Sequence, residues 1–133
     1  MKLSKKKPLI WPLVKLCFPS ATWGTVIVTW GDTVYCAQDL NSSLIAHEQV
    51  HVDQQKGNWL YGLWWWMQYI VSNEFRLKTE LPAHQAEYKQ VCKLTTSKHT
   101  REQHLHAIAD RLSGPLYKRV ISKTLAIEVI KSL

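Results

Sequence analysis

Residues 25 to 36, TVIVTWGDTVYC, are rich in β-branched and aromatic side chains on both sides of Gly31 and Asp32. Such side chains favour strands, and a glycine beside an aspartate favours a tight turn. The pattern predicts a short β-hairpin, or a single strand with a bulge. An exposed edge of this hairpin could hold an extended peptide by strand addition.

A helix is predicted after the hairpin. Asn41, Ser42 and Ser43 are suitable N-caps, and we expect the helix to run through Gln55 because Gly57 is a natural residue to end it. Apolar and polar residues alternate along this segment with the spacing of an amphipathic helix.

The most apolar segment, residues 58 to 71, is shorter than the roughly 20 residues that a membrane-spanning helix needs. A buried core helix is therefore the favoured interpretation. Trp64, Trp65 and Trp66 would point around this helix, so they cannot all face one core unless other elements surround them. An interfacial membrane helix, with its tryptophans at the level of the lipid headgroups, is the alternative.

Pro82 interrupts the helical pattern that follows. Proline is tolerated in the first turn of a helix, so we predict a helix that begins at Thr79 or Glu80 and runs to about Leu94. Arg76, four residues before Glu80, has the spacing of a helical ion pair with it.

Two more helices are predicted towards the C-terminus. Thr100 and Gln103 have the spacing of a capping box in front of HLHAIADRL, and the sequence SGP at residues 113 to 115 would end that helix. A last short helix is expected from Lys123 to Lys131.

The chain has 133 residues, 46% hydrophobic and 20% charged, which is the composition of one globular domain. Residues 1–133 are therefore expected to form a single α+β domain, in which a short β-sheet or hairpin is followed by several packed helices. Residues 1–8 are expected to form a basic, solvated N-terminal arm.

The net charge of +7 favours acidic partners such as nucleic acid, anionic lipid or bacterial wall polymers. The one dense basic cluster is Lys2, Lys5, Lys6 and Lys7, and no nucleic-acid-binding motif accompanies it. Specific nucleic-acid binding is therefore not expected.

The three cysteines are odd in number and lack C-x-x-C spacing, so a disulfide framework is not expected and a reducing compartment is favoured. The N-terminus is similar to a signal peptide, but Lys15 and the prolines at 8, 12 and 19 interrupt its apolar part. Secretion is not expected, and the predicted location is the cytoplasm.

The helix predicted after the hairpin contains His47-Glu48-Gln49-Val50-His51, the pattern H-E-x-x-H. Residues four apart lie on one face of a helix, so His47 and His51 can direct both imidazoles to one metal ion. Glu48 can then act as the general base on a zinc-bound water. The pattern predicts a catalytic site with one Zn²⁺, and two hydrogen-bonded histidines at the edge of the core are the competing interpretation.

A catalytic zinc site needs a third protein ligand. Glu80 is the first choice, because the aromatic segment can turn the chain back over the motif. Glu87 and His84 are the alternatives, and His84 could instead act beside the ligands by orienting the Glu80 carboxylate. The candidates for stabilising an oxyanion are Tyr69, Tyr88 and Tyr117.

Residues 31–55, GDTVYCAQDLNSSLIAHEQVHVDQQ, followed by the aromatic segment and by ELPAHQAEY, resemble the small gluzincin-type zinc metallopeptidase-like proteins of bacteria and their phages. The resemblance covers residues 30 to 90 and rests on the motifs H-E-x-x-H-x-x-Q and E-x-x-A. It implies that His47, His51 and Glu80 bind zinc and that Glu48 is catalytic.

Two further positions belong to this resemblance. Gln54 matches the frequent glutamine after the motif, and Ala83 follows Glu80 at the family's spacing. His84 is a departure, since many gluzincins have at this position an acidic residue that supports the zinc site.

The resulting expectation is a small zincin-like domain that hydrolyses peptide bonds in a peptide or protein substrate, located in the host cytoplasm if a phage encodes it. Two other functions remain open: a zinc-binding structural protein without activity, and a membrane-surface module that uses Trp64–Trp66.

Overall fold

A three-stranded sheet and six α-helices form the part of the chain that the computed structural model describes, residues 1–132. The strands are β1 (Lys2–Ser4), β2 (Val28–Trp30) and β3 (Thr33–Tyr35). The helices are α1 (Trp11–Cys17), α2 (Ser42–Gln54), α3 (Trp59–Val71), α4 (Asn73–Leu94), α5 (Lys98–Leu112) and α6 (Lys123–Lys131), with a short 3₁₀ helix at Pro115–Tyr117. The α+β class predicted from the sequence is confirmed.

The predicted hairpin is formed by β2 and β3, which pair antiparallel across a turn at Gly31 and Asp32. Gly31 has a φ of 64°, which favours glycine, and an added Cβ would lie 3.0 Å from the backbone nitrogen of Trp59. The strand order is β1-β3-β2, so β2 lies at an edge of the sheet.

The N-terminal residues are not simply a solvated arm. β1 pairs in parallel with β3, and the backbone nitrogen of Lys2 donates to the carbonyl oxygen of Asp32 at 2.7 Å. Lysine side chains are compatible with a short outer strand because they remain in solvent there. The lysines of this segment correctly indicated exposed side chains, but they gave no sign that its backbone pairs with β3.

α1 was not predicted from the sequence. Pro12 lies in its first turn, where a missing N–H leaves no intrahelical hydrogen bond unmade. Val14 is buried in the core, while Leu13 and Leu16 are exposed.

α2 has the predicted N-cap, since Asn41 Oδ1 accepts a hydrogen bond from the backbone nitrogen of Leu44 at 2.9 Å. Lys56 and Gly57, with φ values of 55° and 57°, then reverse the chain into α3. The buried residues of α2 are Ser43, His47, Glu48, His51 and Val52.

The aromatic segment forms α3, which has one buried face. Trp65 and Trp66 are 4% and 7% exposed, whereas Trp64 is 52% exposed. Two of the three consecutive tryptophans are therefore core residues. Within residues 1–132, no helix combines the length and the apolar character needed to cross a bilayer.

α4 is one continuous helix of 22 residues, so the predicted start at Thr79 or Glu80 is wrong. Pro82 is exposed in its middle. The buried face of α4 packs against α2, α3 and α5, and this packing outweighs the hydrogen bond that proline cannot donate.

Ser72 joins α3 to α4 without an intervening loop. Its backbone N–H donates to the carbonyl oxygen of Gln68 at 2.9 Å and so ends α3. Its Oγ accepts from the backbone nitrogen of Phe75 at 3.1 Å and so begins α4.

Arg76 does not form the ion pair with Glu80 that their four-residue spacing suggested. Its side chain is buried, and the guanidinium donates to the carbonyl oxygens of Tyr69 at 2.7 Å and Ile70 at 3.0 Å. A cation at the carboxyl end of α3 is favourable, because the last carbonyls of a helix carry partial negative charge. Glu80 therefore remains available for other partners.

α5 begins before the predicted capping box. Ser97, rather than Thr100, is its N-cap, and Ser97 Oγ accepts from the backbone nitrogen of Thr100 at 3.3 Å. Serine is as good an N-cap as threonine, and here it lies one turn earlier. The predicted bounds of α6 are confirmed.

Two hydrophobic clusters stabilise the fold on either side of the α2–α4 pair. The first connects α1, β2 and α3 and contains Ile10, Val14, Phe18, Ala21, Val28, Trp65, Trp66 and Tyr69. The second connects α5 and α6 and contains Leu105, Ile108, Ala109, Leu112, Ile121, Ala126 and Ile130.

Replacing Pro82 by alanine is expected to stabilise the protein by about 1–3 kcal/mol, because alanine restores a backbone donor in an exposed helix interior. Urea unfolding measures the change, and Lys89→Ala, at another exposed position of α4, should stay within about 0.5 kcal/mol of the wild type. A loss of stability in Pro82→Ala would contradict the expectation and show that α4 needs the proline.

Candidate metal centre

The side chains of the H-E-x-x-H motif lie on the buried face of α2. His47, Glu48 and His51 are each 5% exposed. The one-turn spacing brings both imidazoles to the same side, where the Nε2 atoms of His47 and His51 are 3.2 Å apart.

α4 brings Glu80 to both imidazoles. Its Oε2 lies 3.5 Å from Nε2 of His47, and its Oε1 lies 3.6 Å from Nε2 of His51. Ligand atoms of these three buried side chains all lie within 4.8 Å of one another, so the group could hold one metal ion. These are the three residues that the sequence predicted as ligands.

Gln54 fixes which nitrogen of His51 carries a proton. Its Nε2 donates to the carbonyl oxygen of Thr79 at 2.9 Å, and its Oε1 faces Nδ1 of His51 at 3.0 Å. An amide oxygen can only accept, so His51 Nδ1 must donate. In the neutral ring, the lone pair is then on Nε2 and faces the other ligand atoms.

Glu87 fixes which nitrogen of His47 carries a proton. Its Oε2 lies 3.2 Å from Nδ1 of His47 and 3.2 Å from Nδ1 of His84, while its Oε1 accepts from the guanidinium of Arg111. A carboxylate accepts, so both Nδ1 atoms carry protons.

His47, His84 and Glu87 are also close enough to share a metal ion. Two N–H donors on one carboxylate oxygen already account for the distances between them. The guanidinium of Arg111 beside the same carboxylate would repel a second cation. Glu87 and His84 therefore form a hydrogen-bonded group behind His47.

Three electron-rich atoms consequently face one point with no hydrogen between them. The neutral Nε2 atoms of His47 and His51 both present lone pairs, and the Glu80 carboxylate is the third group. Glu80 Oε2 is buried and lacks a hydrogen-bond partner within residues 1–132. A cation at this point, either a proton or a metal ion, would satisfy all three groups at once.

The acidic surroundings of His47 favour its protonated form when no metal is bound. Burial lowers its pKa, but the neighbouring carboxylates of Glu80 and Glu87 outweigh this effect and raise the pKa to about 10. Burial likewise raises the pKa of Glu80, but the charges of His51 and His47 hold it well below its usual range. A proton on His47 thus takes the place of the metal's charge.

Glu48 is held beside the ligand group by the sheet. Its Oε2 accepts a hydrogen bond from the hydroxyl of Thr29 in β2 at 2.6 Å, and its Oε1 lies 3.9 Å from Nε2 of His47. One oxygen is therefore anchored, and the other faces the point where the ligand atoms converge.

The edge of β2 next to the site is covered by side chains. Gln55 Nε2 donates to the carbonyl oxygen of Thr29 at 2.9 Å, and the backbone N–H of Gly31 donates to Gln55 Oε1 at 2.8 Å. The indole of Trp66 donates to the same Thr29 oxygen at 2.8 Å. A peptide therefore cannot pair with Thr29 and Gly31 here, contrary to the expectation of an open edge.

The three candidate tyrosines have different positions. Tyr69 donates its hydroxyl hydrogen to Glu80 Oε1 at 2.5 Å. Tyr117 borders the site, and its pKa is raised well above the usual value by burial and by the negative charges of Glu80 and Glu48, so its phenol is neutral. Tyr88 packs against the second hydrophobic cluster, away from the ligand group.

His84 lies next to Glu80 and Glu87, a position that fits its predicted role of orienting the Glu80 carboxylate. Burial lowers its pKa despite the hydrogen bond to Glu87, so the ring is neutral. Its Nε2 is buried, lacks a hydrogen-bond partner within residues 1–132, and lies 3.7 Å from Glu80 Oε2.

A cavity of about 70 Å³ borders the site. At roughly 10–15 Å³ per water, this is room for only a few water molecules. A second cavity of about 330 Å³ lies next to it. Four residues line both cavities and form the wall between them: Ala21, Val26, Leu116 and Tyr117.

Comparison of the chain with models of known protein families, with curated protein sequences and with solved structures finds no match. The interpretation of the site therefore depends on its own geometry and chemistry.

Two residues of the site were missed by the sequence analysis. Thr29 and Arg111 hold Glu48 and Glu87 from distant parts of the chain. Neither belongs to a local motif, so no spacing signal indicated them. Gln54 did have a signal, because it follows the second histidine at a fixed distance.

Metal affinity is expected to rise with pH. Since His47 of the metal-free protein stays protonated up to about pH 10, a metal ion must displace that proton. The apparent dissociation constant should fall about tenfold or more per unit between about pH 7 and pH 9. Competition with a chromophoric chelator of known pH dependence measures it, and an affinity that does not vary with pH would show that His47 is neutral.

Glu87→Gln is expected to weaken metal binding by about 10- to 100-fold, because an amide cannot accept from both Nδ1 atoms and pair with Arg111 as the carboxylate does. The same competition measurement tests it. Glu128→Gln, on an exposed position of α6, is the matched control and should bind metal like the wild type. Equal affinities for the two variants would show that Glu87 does not orient His47.

Proposed function

We propose that the protein is a zinc metallopeptidase with a zincin-like domain and a gluzincin-type site. The observation that carries this proposal is the convergence of two imidazole lone pairs and one carboxylate on a single point, with the Glu48 carboxylate beside them. The proposed substrate is a peptide or a protein.

Zinc is the metal that best fits the donor set. Two donors bound tetrahedrally to zinc at about 2.0–2.1 Å are roughly 3.3 Å apart. Here the two imidazole nitrogens are 3.2 Å apart, and each lies 3.5 or 3.6 Å from a different oxygen of the Glu80 carboxylate. Two imidazoles and one carboxylate are also a ligand set of catalytic zinc sites, which keep a fourth position open.

When bound, zinc polarises a carbonyl group and lowers the pKa of water. Glu48 is placed to take a proton on Oε1 from the attacking water, while Thr29 holds its other oxygen. The same carboxyl group can then give the proton to the leaving amine, which balances the hydrolysis of the peptide bond.

Tyr117 is the tyrosine best placed to stabilise the developing oxyanion. It lines the cavity, and its raised pKa keeps the hydroxyl hydrogen available for donation. The hydroxyl of Tyr69 is already used by Glu80, where it holds the proposed ligand in position.

A zinc site with a structural role is the second candidate, and the size of the cavity favours it. The space beside the ligands has room for a few waters, and four residues lie between it and the larger cavity. A peptidase needs room for a peptide at the ligands, whereas a structural site does not. Cys17, Cys36 and Cys92 are free thiols, which supports a reducing compartment such as the cytoplasm in either case.

Metal analysis of the purified protein should find about one zinc per chain, and His47→Ala should lose it, because removal of an imidazole leaves only two of the three ligands. His104→Ala, on the exposed side of α5, is the matched control and should keep its zinc.

Glu48→Gln should retain zinc but lose about 10²- to 10⁴-fold in peptide-cleavage rate, because an amide cannot accept the proton of water. Glu74→Gln, at an exposed position of α4, controls for the charge change. If Glu48→Gln binds zinc and cleaves as fast as the wild type, the hydrolase proposal fails. Zinc binding without any cleavage by the wild type would support the structural site.

A further inference from the structure

One face of α3 is apolar and exposed to solvent. Leu60, Trp64, Met67 and Val71 are spaced by four, three and four residues, which places them along one side of the helix. They are 59%, 52%, 65% and 82% exposed. We call these four residues the α3 stripe.

The α3 stripe is separate from the part of α3 that serves the core. Trp65, Trp66 and Tyr69 point to the other side of the helix, where they are buried and line the smaller cavity. The stripe therefore does not contribute to the interior or to the candidate metal centre. The α3 stripe is therefore a continuous apolar patch exposed to solvent, and such patches are uncommon on soluble proteins.

The surroundings of the stripe contain no formal charge along the chain. The sequence has no acidic or basic residue between Lys56 and Glu74. Trp59, at the start of α3, is 58% exposed and extends the apolar surface. Tryptophan side chains favour the boundary between lipid headgroups and acyl chains.

Charge distinguishes between the partners that could cover this surface. A net charge of +7 opposes the association of two copies of the chain and favours an anionic partner. Lys56, whose Nζ lies 4.4 Å from the ring centre of Tyr61, places positive charge at the amino end of the stripe. An apolar stripe with a basic end matches an anionic bilayer, which offers apolar depth below a negative surface.

We infer that the α3 stripe binds the surface of an anionic lipid bilayer, with α3 lying in the plane of the interface. α3 has 13 residues and is too short to span a bilayer, so a surface position is the one it can occupy. The contact uses Trp64 but not Trp65 or Trp66, which are part of the core. This inference does not depend on the proposed peptidase activity.

Co-sedimentation with sucrose-loaded vesicles tests the inference. The 133-residue protein should bind vesicles of phosphatidylcholine mixed with phosphatidylglycerol, and it should bind less well to phosphatidylcholine alone or at high salt. Met67→Ser with Val71→Ser should weaken binding by about tenfold or more, because two inserted side chains lose their apolar contact.

Two control variants locate the surface. Leu94→Ser with Leu125→Ser removes exposed apolar side chains from α4 and α6 and should leave binding unchanged. Leu9→Ser with Leu16→Ser removes exposed apolar side chains around α1, near Lys5, Lys6 and Lys7, and should also leave binding unchanged. Loss of binding in the α1 variant but not in the stripe variant would overturn the inference.

Sedimentation velocity without lipid tests whether a second copy of the chain covers the α3 stripe instead. The wild type should be monomeric. The stripe variant, Met67→Ser with Val71→Ser, should have the same circular dichroism spectrum as the wild type, which shows that the variant is folded. A wild-type dimer that Met67→Ser with Val71→Ser dissociates would assign the stripe to a second copy of the chain. Absence of binding to the anionic vesicles would also refute the inference.

Discussion

Two imidazole lone pairs and a carboxylate face one another between α2 and α4, and a positive charge among them would stabilise this arrangement. The three groups are buried, so water cannot weaken their repulsion. Each is also prevented from turning away: Gln54 holds His51, Glu87 holds His47, and Tyr69 holds Glu80. The packing of α2 on α4 thus creates a position for a positive charge, which a proton on His47 or a metal ion would supply.

Three other elements of the fold each supply one side chain to this arrangement. β2 contributes Thr29 to Glu48, α3 contributes Tyr69 to Glu80, and α5 contributes Arg111 to Glu87. These contacts connect parts of the chain that are distant in sequence. A cation bound here would therefore stabilise the tertiary packing, since the ligand geometry exists only when the elements are docked.

The parts of the site that follow from local rules were predictable. An asparagine cap and a one-turn spacing were enough to predict α2 with His47 and His51 on one face. Glu80 was predicted from the expected reversal of the chain after the aromatic segment and from the E-x-x-A resemblance. Thr29 and Arg111 were not predictable, because a common residue that acts across 19 or 24 positions leaves no local signal.

The same limit explains the errors in the fold. Pro82 has a poor helix propensity, and the packing of α4 overrides it. Lysines at the N-terminus suggested solvent, yet the backbone of β1 pairs with β3. The three tryptophans of α3 could not be assigned to the core individually, because their burial depends on which neighbours surround the helix.

Ser72 connects α3 and α4 directly, so the two helices are mechanically coupled. Because one residue ends α3 and begins α4, no slack chain lies between the helix that carries the exposed stripe and the helix that carries Glu80. The hydrogen bond from Tyr69 to Glu80 adds a second link between these helices. A force applied to α3 would therefore be transmitted to the ligand group. The side of the cavity formed by Ala21 and Val26, which lie outside the helices and strands, has no such link to the ligand group.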